Sequence, residues 1–289
     1  ERISARRALE LANVQWRETF DTIPDMVTVI DTAHQIVHIN KAARERLGND
    51  GTGLSGRAPC YLQFHGASHP PDSCPHVALL KDRQPHEAEV FIPHMDSYFH
   101  ITVNPTFDTD GNLVGAVHVA RDVTKRREME DRLRYLSTHD ELTQLFNRAF
   151  FEAELENLRQ GRTAPISVVI ADLDGLKTVN DQYGHDHGDA MIKAAANLLR
   201  EAFRGGDTIV RLGGDEFAVL LKGVGEELLE TIMQRARELL SSGSSRTEHD
   251  LPIQFSLGAA TTHVPARLHE TIREADLAMY EDKKQRKMS

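Results

Sequence analysis

At 289 residues the chain is long enough for two ordinary domains, each with its own core. A hydrophobic fraction of 40% and a charged fraction of 27% are those of globular protein, and the apolar runs are far too short to span a bilayer. The net charge of −10 excludes a broad surface for a nucleic-acid polymer but not a small site for one metal-bound nucleotide.

The cysteines are Cys60 and Cys74, which excludes a secreted disulfide scaffold and points to a reduced, cytoplasmic compartment. The sequence starts at Glu1 already inside a helical pattern. It reads as the C-terminal part of something longer, with room for a membrane anchor upstream.

Leu9, Leu11, Val14, Trp16 and Phe20 recur at helical spacing and predict a helix over Ala8 to Phe20, stopped by Pro24. Extended patterns on either side of Asp31-Thr-Ala-His34 predict a hairpin between Asp25 and Asn40. A polar, glycine- and proline-rich stretch runs from Gly48 to Pro75, with a short helix near Val77 to Asp82. Strands are expected at Glu87 to Pro93, Ser97 to Pro105 and Leu113 to Val119. This half is a small single-sheet α+β domain.

Lys125 to Ser137 is a highly charged helix whose Met129, Leu133 and Leu136 repeat at spacings of four and three. That spacing suits a two-stranded coiled coil, and equally a solvated linker with one buried stripe. Beyond His139 helices and strands alternate. Helices are expected at Phe150 to Arg159, Asp189 to Phe203, Glu226 to Leu240 and from Ala266 onward, and strands at Ile166 to Ala171 and Ile253 to Ala260.

Between two further strand patterns, Thr208 to Leu212 and Phe217 to Leu221, lies Arg211-Leu-Gly-Gly-Asp-Glu-Phe217. A Gly-Gly pair there is a hairpin signal, and adjacent acids on a turn suit a divalent cation better than a core. Asp172 and Asp174 follow directly on the apolar strand Ile166 to Ala171. Chain reversal can bring Asp172 beside Asp215 and Glu216. Three such carboxylates repel unless a cation such as Mg²⁺ sits among them. Acids at strand ends also serve as plain turn formers, a reading that suits Asp174 as well as a functional one. Asp189 reads either as the N-cap of the following helix or as an acceptor for the N1–H and N2–H₂ of guanine, with Asn180 on another base edge.

These residues resemble a known family. Asp172-Leu-Asp-Gly-Leu-Lys-Thr-Val-Asn180, Tyr183-Gly-His-Asp-His-Gly-Asp189 and Gly213-Gly-Asp-Glu-Phe217 look like the central motifs of the GGDEF diguanylate cyclases. His139-Asp-Glu-Leu-Thr-Gln-Leu-Phe-Asn-Arg148 resembles the family's opening motif, and Ala275-Asp-Leu-Ala-Met-Tyr280 its closing helix. The first half is similar to a PAS sensor through Phe20-Asp-Thr-Ile-Pro-Asp-Met26, Ile39-Asn40-Lys-Ala-Ala43 and the exit Gly115 to Thr124.

The resemblance implies an α+β chain in four parts: a signalling helix (1–19), a PAS-like antiparallel sheet with helices (20–124), a helical linker (125–138) and a palm-like GGDEF domain (139–289). It implies condensation of two GTP into cyclic di-GMP with release of two pyrophosphates, by a homodimer that uses Mg²⁺ or Mn²⁺. Asp172, the Leu173 carbonyl, Asp215 and Glu216 would hold the metal, with Asp215 also helping to deprotonate the ribose 3′-hydroxyl. Asn180 and Asp189 would hold guanine, while Lys177, Lys283 and Lys287 would face the phosphates. Arg204, Asp207 and Arg235 would form an inhibitory site for the product. Arg204 also suits a helix C-terminus, and the tail from Lys283 to Lys287 suits a cationic last helical turn.

Leu176 stands where the family usually has phenylalanine, Gln144 where it has glycine and Lys287 where it has arginine. The first two changes read as tolerable; the third turns a bidentate phosphate contact into a point charge. Cys60, His65, His69, Cys74 and His76 fall within seventeen positions but lack a Cys-x-x-Cys pair, so an ordinary loop is preferred to a metal or haem site. The sensor's ligand is not legible. Two other functions fit the pattern less well: a catalytically silent receptor for GTP or cyclic di-GMP, and a synthase of mixed purine cyclic dinucleotides.

Overall fold

The computed structural model describes residues 2–47, 59–71, 73–241 and 253–288, and the chain divides into two compact units, Glu1–Asp131 and Arg132–Ser289. Part of the polar stretch expected from Gly48 to Pro75 lies outside the described residues, as does the side chain of Lys287. No helix among the described residues is long and apolar enough to cross a membrane.

The first unit begins with α1 (Arg2–Thr22), on which Leu9, Leu11 and Val14 face solvent. Strands β1 (Met26–Asp31) and β2 (Ile36–Ile39) form the expected hairpin. Two short helices follow that the sequence reading missed, α2 (Lys41–Arg46) and α3 (Cys60–His65). Each is shorter than two turns, too short to display a 3.6-residue period. The signal for α2 is its cap: Asn40 Oδ1 accepts from the Ala43 amide at 3.0 Å. Fully buried, Asn40 also accepts from Val27 N and donates to the carbonyls of Ile23 and Asp25, so its amide ties three segments together.

Next come α4 (Pro75–Asp82) and the strands β3 (His86–Ile92), β4 (Ser97–Phe107) and β5 (Leu113–Asp122). Among the described residues the sheet is antiparallel, in the order β2-β1-β5-β4-β3. Ile30, Leu79, Ile92, Phe99, Val103 and Ala116 are buried at its core. Helix α5 (Thr124–Thr138) carries no buried residue; of the predicted stripe, Met129 and Leu133 are exposed and Leu136 is half-buried among the described residues.

The second unit contains α6 (Arg148–Gln160), β6 (Ile166–Leu173), α7 (Leu176–Tyr183), α8 (His185–Ala202), β7 (Thr208–Gly213), β8 (Glu216–Lys222), α9 (Glu226–Ser241), β9 (Phe255–Thr262) and α10 (Leu268–Met288). Its antiparallel sheet has the order β7-β8-β6-β9 among the described residues. All eight residues of β6 are buried because helices cover both faces. Val169, Ala171 and Leu173 pack with α8 and α9, while Ile166, Val168 and Ile170 pack with α6 and α10, the alternation expected of a strand.

Helix α10 lies directly on β9. A Cβ at Gly258 would fall 2.1 Å from both Ala275 O and Met279 N, so the backbones approach as closely as glycine permits. Gly258→Ala is therefore expected to destabilise the protein by about 1–3 kcal/mol, since backbone cannot give way as a side chain can. Thermal or urea unfolding followed by circular dichroism checks this; an unchanged midpoint would refute it.

Candidate active site

The acids singled out by the sequence come to one corner of the second unit, where β6 ends. Asp172 lies opposite Glu216 across the β6–β8 ladder, and the Leu173 amide donates to the Asp215 carbonyl at 2.9 Å. Gly214 and Asp215 form the turn between paired Gly213 and Glu216. Gly213 and Gly214 have φ of 151° and 54°, a region side chains avoid, which is why this turn needs both glycines.

Asp172 is buried and accepts from Lys283 Nζ at 2.5 Å. Burial works against the Lys283 ammonium, yet the hydrogen bond to Asp172 and the charges of Asp172, Asp174 and Asp215 raise its pKa. Three carboxylates thus act on one positive point. Lys283, expected on a triphosphate, instead supplies the countercharge that a carboxylate buried at a strand end requires. Glu216 is exposed, and among the described residues no three acidic, histidine or cysteine side chains are gathered tightly enough to hold an ion. The backbone has assembled the corner; the side chains have not closed on a common centre. Its hard carboxylate and carbonyl oxygens, focused on one cationic point, still fit Mg²⁺ by donor chemistry.

Asp174 belongs more to the scaffold. Ser256 Oγ donates to its two oxygens at 3.0 and 2.9 Å, and its amide donates to Gln254 O. Burial and the charge of Asp172 push its carboxyl up, against the pull of Ser256 and Lys283.

Beside this corner stand α7 and α8, joined at Gly184, whose φ is 88°. The sequence reading had no helix for α7 and began α8 at Asp189. In fact Gly184 is the cap, and Asp189 sits inside α8, so the capping account of Asp189 falls. It is exposed, next to buried Gly188. Asn180 on α7 packs against that glycine: a Cβ at 188 would lie 1.9 Å from Asn180 Oδ1. This Oδ1 is buried and has no hydrogen-bond partner among the described residues. Lys177 is exposed on the first turn of α7.

Two supporting residues were not singled out from the sequence. Arg211 donates to the Gly214 carbonyl from Nε and Nη2 at 3.1 and 2.9 Å, and from Nη1 to both oxygens of Asp140 at 3.1 and 3.2 Å. The turn bearing Asp215 is thereby clamped to the loop that follows α5. That loop is fixed in turn by Asn147, which caps α6 through Oδ1, donates from Nδ2 to Leu136 O and His139 O, and gives its amide to Thr138 O. In the same loop Gln144 adopts φ of 58°, so glycine would suit this position for its backbone.

Residues 137–289 match the family described as diguanylate cyclase, GGDEF domain, and residues 20–128 match the PAS fold. The chain belongs to the GGDEF diguanylate cyclase family. Similar proteins include the probable diguanylate cyclases DgcE and DgcC of Escherichia coli K12. DgcE is 30% identical over 92% of this chain and 25% of its own length, and DgcC is 38% identical over 56% and 44%. The chain therefore spans less than half of either relative. A crystal structure of the coiled coil and GGDEF domain of DgcB from Caulobacter crescentus, in complex with c-di-GMP, is similar with a TM-score of 0.50. It is 29% identical over 56% of this chain and 89% of that one.

Of the three residues expected to form an inhibitory site, Arg204 and Asp207 pair with each other, and Arg235 reaches the end of the helix before them. Arg204 Nε donates to Asp207 Oδ1 at 2.9 Å, and Arg235 Nη2 donates to Ala202 O at 2.8 Å. The basic tail divides its contacts: Lys284 pairs with Glu281 and Arg286 with Asp282, both within α10.

The clamp carries a pH prediction. Burial alone would raise the Asp140 carboxyl, but hydrogen bonds from Thr143 and Arg211 outweigh it and hold the pKa below the ordinary range. A depressed carboxylate stabilises above its unfolded pKa of about 3.9, and that contribution is lost as pH falls through the folded value. Asp140→Asn is expected to lower stability by about 1–2 kcal/mol at pH 7, with the gap to the parent closing below about pH 4. Urea melts across pH check it; a gap independent of pH would refute the assignment.

Proposed function

We propose that the protein condenses two GTP into cyclic di-GMP, working as a homodimer in which each protomer binds one nucleotide. The observation that carries this reading is the corner itself. Asp172, Asp174 and Asp215 bear on one cationic point, a short way from a helical hairpin whose Asn180 Oδ1 is buried without a partner.

Asp172, the Leu173 carbonyl, Asp215 and Glu216 would hold Mg²⁺, which when bound supplies the charge neutralisation that phosphoryl transfer demands. Asn180 and exposed Asp189 take the guanine edge. An aspartate accepts from both N1–H and N2–H₂, a donor pair adenine lacks. Lys177, at the N-terminal turn of α7, would face the phosphates, and the family resemblance gives Lys287 the same role. Lys283 can join them once Asp172 has another countercharge.

Each 3′-hydroxyl attacks the α-phosphorus of the facing GTP. One P–O bond forms, the bond to pyrophosphate breaks, and the hydroxyl proton passes to a base, the role this reading gives to Asp215. Two such steps close the ring. Because each half-site contributes one nucleotide, the second copy is obligatory, and exposed Met129 and Leu133 on α5 suit pairing of two linker helices. Arg204, Asp207 and Arg235 would bind the product and damp the reaction, and the PAS unit would regulate it through the linker.

Asp215→Ala and Glu216→Ala are each expected to lower cyclic di-GMP formation at least about 100-fold with the melting curve unchanged, as loss of a metal ligand or base should. Incubation with Mg²⁺ and GTP, with mass detection of the product, reads this directly. Unaltered turnover in either variant would refute the site; binding of GTP without product by the parent would make the chain a receptor. Mixed products with added ATP would overturn the guanine assignment of Asp189.

A further inference from the structure

The PAS unit contains a cavity of about 360 Å³, and folding disperses around it the cluster singled out by the sequence. Cys60, His65 and Cys74 line the cavity, whereas His69 is exposed on the surface. His76 joins a row of imidazoles instead. Its Nδ1 lies 2.7 Å from Nε2 of His118, and its ring is 4.9 Å from those of His118 and His34. The cavity lining also includes Phe91 of β3, and from Phe91 a continuous set of contacts leads to the start of α5.

Phe91 stands opposite Tyr98 in the β3–β4 ladder, with the two rings 4.9 Å apart. The Arg127 guanidinium lies over the Tyr98 ring, 4.7 Å from its centre. Arg127 donates to Glu89 Oε2 from Nε at 2.9 Å and from Nη2 at 2.5 Å, and Arg126 Nη2 donates to Glu89 Oε1 at 2.6 Å. His100, directly opposite Glu89, lies 3.6 Å from Glu87 instead, which leaves the Glu89 carboxylate to the two arginines. The main chain adds its own contacts: Val123 N donates to Tyr98 O at 2.8 Å, and Tyr98 N to Thr124 Oγ1 at 2.9 Å. Strand β4 thus holds the root of the helix, and β3 holds its first turn.

The helix needs such a tie. Lys125, Arg126 and Arg127 crowd its first turn, where the helix dipole favours anions, and that turn carries no acidic residue of its own. Asp122 accepts the Thr124 amide, and Glu89 supplies a second negative charge from the sheet. An exposed ion pair by itself restrains little. Here one carboxylate is shared by two guanidinium groups, and one of those is also stacked on an aromatic ring, which leaves the geometry little freedom. Hydrogen bonds from Arg127 and Arg126 accordingly hold the Glu89 carboxyl below the ordinary carboxylate range.

We propose that Glu89 is a positioning residue: from the PAS sheet it fixes the first turn of α5, and with it the direction of the linker on which the facing of two half-sites depends. Its effect on rate rests on the cyclase reading, whereas its hold on the helix is measured without turnover. Half-sites condense their nucleotides only while they face each other, and a helix free to swivel spends less time in that arrangement.

Glu89→Gln keeps the size of the side chain and removes its charge. Hydrogen exchange of the amides of residues 126–131, read by mass spectrometry on the full chain, should quicken at least fivefold in Glu89→Gln and in Arg127→Gln. It should quicken no further in the double variant, and the melting midpoint should not move. Lys125→Gln, which removes a neighbouring charge outside the tie, should not quicken it. With Mg²⁺ and GTP, kcat for cyclic di-GMP should fall at least threefold in Glu89→Gln while KM for GTP stays within twofold, since each half-site still binds its nucleotide. Unchanged exchange in Glu89→Gln, or effects of the two variants that simply add, would overturn the proposal. So would quickened exchange with kcat unaltered, because the tie would then be structural only. Should the parent form no cyclic di-GMP, the cyclase reading fails, and exchange alone upholds or overturns the tie.

Discussion

Like charges cannot be gathered at the end of a buried strand without something positive among them, and the GGDEF unit is arranged around that constraint. Asp172 is carried to the corner by β6, a strand with no exposed residue, so it cannot swing out to solvent. Lys283 meets it from α10, and α10 reaches that far only because Gly258 lets helix and strand backbones touch. The sheet, the closing helix and the glycine between them are thus parts of one electrostatic solution.

Much of this was legible in the sequence because the signals were long. Strand β6 is a run of apolar residues, the Gly213-Gly214 turn has chain reversal written into it, and five motifs in order identify the family. The parts not read share a cause. Helices α2, α3 and α7 are eight residues or fewer, and α7 and α8 follow each other with only Gly184 between, so one periodic pattern blurs into the next. Helix α8 begins four residues before Asp189, which removes the capping role a sequence reading must allow that residue.

Side-chain pairing was the other hidden layer. Nothing in the order of residues says that Arg211 reaches Asp140, seventy-one positions away, or that Lys283 turns inward while Lys284 and Arg286 stay with their own helix. The histidine row in the PAS unit was hidden in the same way. Sequence proximity grouped His76 with Cys60 and Cys74, whereas folding set it against His118, from a strand forty-two residues on.

The anchoring of the loop after α5 has a mechanical consequence. Asn147 holds the last turn of that helix at two carbonyls, Leu136 and Thr138, and Asp140 grips Arg211 only two residues beyond the helix end. The turn that bears Asp215 is thereby tied closely to the end of α5. The last turn of the helix and the backbone of Gly214 are thus joined by side-chain hydrogen bonds through Asn147, Asp140 and Arg211, a path of fewer than ten residues.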